Sequence, residues 1–190
     1  MSRFVMPLII AAAFSFTVGA AEVLAADTQD GLKQGDPIGA FYVTKAAGAV
    51  DDGVEDGEEL CYRCRYGSRP MVMVFARETG GKVADLVKQI DSAVAENDES
   101  QFKGLLTLLG DDAGQLKADA TALAAKASVK QVPLVVAKET KTGPTNYKIS
   151  EDAAITVVVA NDSQVVTTHT FSADDIDIPA VMNEVKQMLN

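Results

Sequence analysis

PMVMVFARETGGKVADLVKQIDSAVAE, Pro70 to Glu96, joins an unbroken apolar run to a segment whose apolar residues recur at a longer period. MVMVFA (Met71–Ala76) shows no polar alternation, the pattern of a strand buried on both faces. Val83, Leu86, Val87, Ile90 and Val94 fall at helical spacing, so residues 81–96 are expected to form an amphipathic helix lying on that strand's sheet. FKGLLTLLG (102–110) repeats the strand signal, and Leu116, Ala120, Leu123, Ala124 and Ala127 repeat the helical one. Two strands joined through a helix make a right-handed crossover and a parallel pair. VPLVVAKE then reads as a short strand, and AITVVVANDSQVVTTHTF as a hairpin turning at Asn161 to Ser163. A last helix is expected over 175–189, with Pro179 in its first turn and Val181, Met182, Val185 and Met188 facing inward. Upstream, IGAFYVTKAAG (38–48) is a strand candidate alternating at Phe41 and Val43.

Residues 1–26 carry one base, Arg3, an apolar stretch from Phe4 to about Val18 and small residues from Ala20 to Ala26. The apolar part is shorter than the roughly 20 residues of a spanning helix, so the expectation is a signal peptide, an exported (periplasmic or extracellular) protein and no stable membrane anchor after cleavage. Residues 27–36 are polar and expected to be flexible; 37–190 are expected to form one domain, large enough to bury a core without metals or disulfides. The chain has 27 acidic against 17 basic residues and a net charge of −10, which argues against nucleic acid or anionic lipid as a partner. With no tryptophan and one histidine, it lacks the apparatus of carbohydrate stacking or of a histidine-rich metal site.

The order strand, helix, strand, helix, short strand, hairpin, helix resembles the thioredoxin-like fold from Pro70 to the C-terminus. That is an α/β fold of three layers, a central mixed sheet flanked by helices. Pro133-Leu134, Tyr147 and Ile155 to Val159 are similar in order to the peroxiredoxin branch. The resemblance implies an attacking cysteine just after the first central strand, where a helix N-terminus lowers its pKa. There this chain reads FARETGGKVADL, with Thr79, Gly80 and Gly81 in place of a cysteine. The cis-proline implied near Ile155-Thr156 is also missing, and the isomer of the Val132-Pro133 bond is not legible in sequence.

Both cysteines instead precede the central strand, in Cys61-Tyr62-Arg63-Cys64. Three readings of the pair stand open. As a redox pair, Arg63, Arg65 and Arg69 favour the thiolate, with Cys61 as the more exposed, attacking sulfur, Cys64 resolving, and protein thiols as partners. As a structural disulfide, expected in an oxidising compartment, the bridge shapes a loop in a silent domain that binds an unidentified protein partner. As a copper(I) site, the pair would borrow Met71 or Met73, although methionines in a buried strand are usually core. No cofactor is called for: haem attachment needs a histidine after Cys64, and Arg65 is there. The acidic loop 50–60, VDDGVEDGEEL, gathers six carboxylates but fails the EF-hand pattern at Val54 and Arg63, so it is read as a solvated loop. Tyr62, Tyr66 and Arg69 are read either as a recognition surface or as a cap on the sheet, and His169 as a half-exposed strand residue.

Overall fold

In the computed structural model, which describes Met1 and residues 31–190, MVMVFA forms strand β3 (Met71–Ala76) and every one of its residues is buried. It lies between β4 (Lys103–Leu108), parallel to it, and β6 (Ile155–Asn161), antiparallel. Successive side chains of a strand point to opposite faces. Val72, Val74 and Ala76 therefore enter one core layer, and Met71, Met73 and Phe75 the other. The remaining strands are β1 (Val43–Gly48), β2 (Glu59–Leu60), β5 (Pro133–Ala137) and β7 (Gln164–Phe171), giving the order β2-β1-β5-β4-β3-β6-β7.

Helices α2 (Val83–Glu96) and α3 (Ala113–Ala127) connect β3 to β4 and β4 to β5. Both crossovers step the same way across the sheet, and right-handed connections of that kind place both helices on one face. Their apolar stripes join the layer of Val72 and Val74, as do Val181 and Val185 of α4 (Ile178–Leu189). The last helix begins three residues later than its periodicity suggests because Asp177 caps it, accepting from the Ala180 amide at 3.0 Å. The β6–β7 hairpin turns on Asp162 and Ser163, both at positive φ (49° and 65°), the geometry that keeps a two-residue turn in step with strand twist. No peptide bond among the described residues is cis, so Val132-Pro133 is trans.

The opposite face is covered mainly by irregular chain, the five-residue helix α1 (Tyr62–Tyr66) and a single 3-10 turn at Thr145–Tyr147. Tyr147 is fully buried, with ring centroids 5.1 Å from Phe41 and 5.2 Å from Phe75. Residues 31–36 depart from the flexible segment expected at 27–36. Leu32 is buried in this layer, and Gly31, Gly35 and Ile38 donate backbone hydrogen bonds to Lys148, Val165 and Ser163. The expected signal peptide and residues 27–30 lie outside the described residues.

Asp91 of α2 reaches the turn before β5 and accepts from the amides of Lys130, Gln131 and Val132 at 3.0, 2.6 and 2.9 Å. Asp91→Ala strands three amides at once and is expected to cost about 1–3 kcal/mol in urea unfolding, with Asp91→Asn milder because one carbonyl oxygen remains. An unaltered midpoint in the alanine variant would mean that water replaces the carboxylate.

Candidate functional site: the disulfide at the entry to the central strand

Strand β1 sets the site by its alternation. Val43, Lys45 and Ala47 are its buried positions, which brings a lysine inward. Lys45 is 2% exposed, and its ammonium donates to the Ala49 carbonyl (3.0 Å), the Val54 carbonyl (2.8 Å) and Asp52 Oδ1 (2.9 Å). The acidic loop is thus wrapped around a buried cation, and Asp52 is turned inward instead of solvated. Burial pushes the Asp52 carboxyl up, but the Tyr62 hydroxyl, the Lys45 ammonium and the Val54 amide outweigh it and hold it below its ordinary value.

Asp52 Oδ2 accepts from the Tyr62 hydroxyl at 2.6 Å, which ties the loop to α1. The helix is secured at further points. Tyr62 (1% exposed) and Tyr66 (8%) both enter the core, and the Tyr66 hydroxyl donates to the Gly104 carbonyl at 3.2 Å. Arg63 Nε donates to the Ile38 carbonyl at 3.0 Å, and Arg65 to the backbone carbonyl of Asp52. The two tyrosines are therefore cap and core, not a recognition surface.

Cys61 and Cys64 form a disulfide, with Cα atoms 5.2 Å apart. Cys61 is the N-cap of α1, and its sulfur accepts from the Cys64 amide at 3.1 Å. The order of exposure is the reverse of the one expected: Cys61 is 9% exposed and Cys64 lies on the open side of the helix. The reason is helical geometry, since Tyr62 and Tyr66, four apart, face the core together and turn Cys64 outward.

The pair sits at the end of the sheet where the parallel strands begin. At the other end of β3, where thioredoxin-like enzymes carry their cysteine, Gly81 adopts φ 52° and a Cβ there would lie 2.5 Å from the Ala173 carbonyl oxygen. Arg77 spans the same end, donating to the carbonyls of Lys141 (2.6 Å) and Ser150. Met71 and Met73 are core residues, the Met73 sulfur 3.7 Å from the Tyr147 hydroxyl. Among the described residues no group of three or more His, Cys, Asp or Glu side chains is placed to hold a metal ion. His169 stacks on Phe171 with ring centroids 5.7 Å apart, and its Nε2 is buried without a hydrogen-bond partner among the described residues.

No protein-family model matches the sequence, and no curated protein matches it. Solved structures do match the fold. A protein assigned as thiol:disulfide interchange protein DsbE from Chlorobium tepidum superposes with a TM-score of 0.63 at 14% identity, covering 84% of this chain and 99% of that one. AhpC from Mycobacterium tuberculosis gives 0.62 at 8% identity over 83% and 93%. The thioredoxin domain of a thiol-disulfide oxidoreductase from Bacteroides vulgatus gives 0.59 at 10% identity over 84% and 99%. Sheet order, crossovers and superpositions agree: the chain has the thioredoxin-like fold.

Proposed function

We propose that this protein takes part in thiol–disulfide exchange through Cys61 and Cys64, as an exported protein whose first 26 residues are a signal peptide. One observation carries the reading. The disulfide has an exposed member on a helix that buried tyrosines and backbone contacts anchor without it, so the bridge can open while α1 stays in place. A partner thiolate attacks the Cys64 sulfur, forming a mixed disulfide and expelling Cys61 as a thiolate that the Cys64 amide stabilises. A second partner thiol then attacks the partner's own sulfur and releases Cys64. The partner dithiol has lost two electrons and two protons, and the cysteine pair has gained the electrons. The names of the structural neighbours from Chlorobium tepidum and Bacteroides vulgatus support the class of chemistry.

The second reading, a silent binding domain with a structural bridge, is favoured by the empty family position at Gly81 and by the displaced location of the pair. One experiment separates the two: equilibration in glutathione buffers, trapping of free thiols and counting of mass additions. A midpoint between about −120 and −270 mV is expected, with far-UV circular dichroism unchanged on reduction. The bridge closes so few residues that its loss costs less than the roughly 3 kcal/mol of a 15-residue loop. Cys61→Ser is expected to trap a mixed disulfide at Cys64. A midpoint below about −300 mV would establish the structural bridge and sink the exchange reading.

A further inference from the structure

Next to the disulfide helix lies a cavity of about 400 Å³ that neither cysteine lines. Four cations from separate parts of the chain converge on it: Arg65 of α1, Arg69 from the turn that follows, Lys103 at the start of β4 and Lys130 before β5. None of the four makes an ion pair with a described carboxylate. Arg65 donates to the Asp52 carbonyl, and Arg69 to Gln101 Oε1 and to the carbonyls of Arg65 and Tyr66. The ammonium groups of Lys103 and Lys130 make no hydrogen bond among the described residues, yet both backbones are fixed. Lys103 N donates to the Pro70 carbonyl at 3.0 Å, and Lys130 N to Asp91.

Two carboxylates also line the cavity, Asp51 and Asp52. Asp52 is committed to Lys45 and Tyr62, which leaves Asp51 alone against four cations. The chain as a whole carries −10, so this concentration of positive charge runs against its average and is not a by-product of a basic surface. Unpaired like charges around one concavity raise one another's energy, and a bound anion lowers it. The volume falls within the range of about 300–1,000 Å³ typical of small-molecule sites.

We infer that this cleft binds a small polyanion bearing two or more carboxylate or phosphate groups. The inference stands apart from thiol exchange: a structural disulfide would leave it intact. The test is calorimetric titration of the full chain with citrate and with pyrophosphate, at low ionic strength and again at about 0.15 M. At least one probe is expected to bind at a single saturable site with a submillimolar Kd. The winning probe tells whether the ligand group is carboxylate or phosphate. Lys103→Gln/Lys130→Gln removes two charges whose side chains make no bonds among the described residues, and is expected to weaken binding about tenfold or more with the thermal midpoint unmoved. Lys117→Gln/Lys126→Gln, two exposed cations on α3 outside the cleft, is expected to leave the Kd unaltered. Should the first pair fail to fold, Lys130→Gln alone carries the same comparison. Absence of saturable binding by either probe would overturn the assignment. Equal losses in the two double variants, or no loss in the first, would do the same.

Discussion

Lys45→Ala is expected to destabilise the protein by about 3 kcal/mol, or roughly 6–12 °C in Tm for a chain of this size. The substitution deletes the donor shared by two carbonyls and the Asp52 carboxylate, and breaking a buried pair by removing one partner leaves an uncompensated charge. The Asp52 side chain keeps 20% exposure, which lets water repay part of the loss and places the estimate at the low end of the usual 3–5 kcal/mol. Lys45→Met combined with Asp52→Asn is expected to recover much of it, since no charge is then stranded and the amide oxygen still accepts from Tyr62. The acid limb supplies a second readout. Asp52 is held below its ordinary value in the fold, so its stabilisation is present above about pH 4 and fades as pH falls through the folded value. Lys45→Ala flattens that dependence, which a lysine acting only as packing would not do. Chemical unfolding at pH 7 and at pH 3 checks both, and a variant as stable as the parent would mean that the acidic loop is organised by something else.

Much of this architecture was open to a reader of the chain, because burial on two faces leaves an unmistakable mark in MVMVFA and α2 has the plain period of a helix on a sheet. The hairpin fell in place for a similarly local reason, its polar turn residues between two apolar runs. Lys45 is instructive because its signal was present and unread. The alternation at Phe41 and Val43, continued by two, lands on a lysine, and a carboxylate to meet it stands seven residues on. Helix α1 was missed because five residues carry too little periodicity, although Tyr62 and Tyr66 four apart were the clue that would also have put Cys64 outside and Cys61 inside. The gathering of Arg65, Arg69, Lys103 and Lys130 is of another kind. Their sequence distances carry no hint of contact; only the meeting of strand starts at one end of the sheet brings them together.

Above pH 10 the protein is expected to lose stability by as much as about 4 kcal/mol per pH unit, from three phenols. Tyr62, Tyr66 and Tyr147 are 1%, 8% and 0% exposed, and burial is the first cause pushing each of them up. The Asp52 carboxylate, which accepts from Tyr62, reinforces this at Tyr62 and Tyr66, while Arg65 opposes it at both and Arg63 opposes it at Tyr147. In the unfolded chain these groups ionise near 10. A folded value raised above the unfolded one gives stability that is complete below about pH 10 and is lost as pH rises beyond it, at about 1.4 kcal/mol per group and unit. Set against the 5–15 kcal/mol of a typical domain, that slope brings unfolding within a few units. Phenolate absorbance is easily followed because the chain has no tryptophan. In a Tyr42→Phe background, which removes the fourth and exposed tyrosine, three phenolates are expected to appear in one step, together with the loss of far-UV circular dichroism. Ionisation near pH 10 with the dichroism intact would show the rings to be accessible and refute the slope. Two phenolates appearing ahead of the third would mean that α1, which carries Tyr62 and Tyr66, leaves the sheet by itself. The buried tyrosines and backbone contacts would then be too weak to hold α1, and the case for a bridge that opens while the helix stays in place would fall with them.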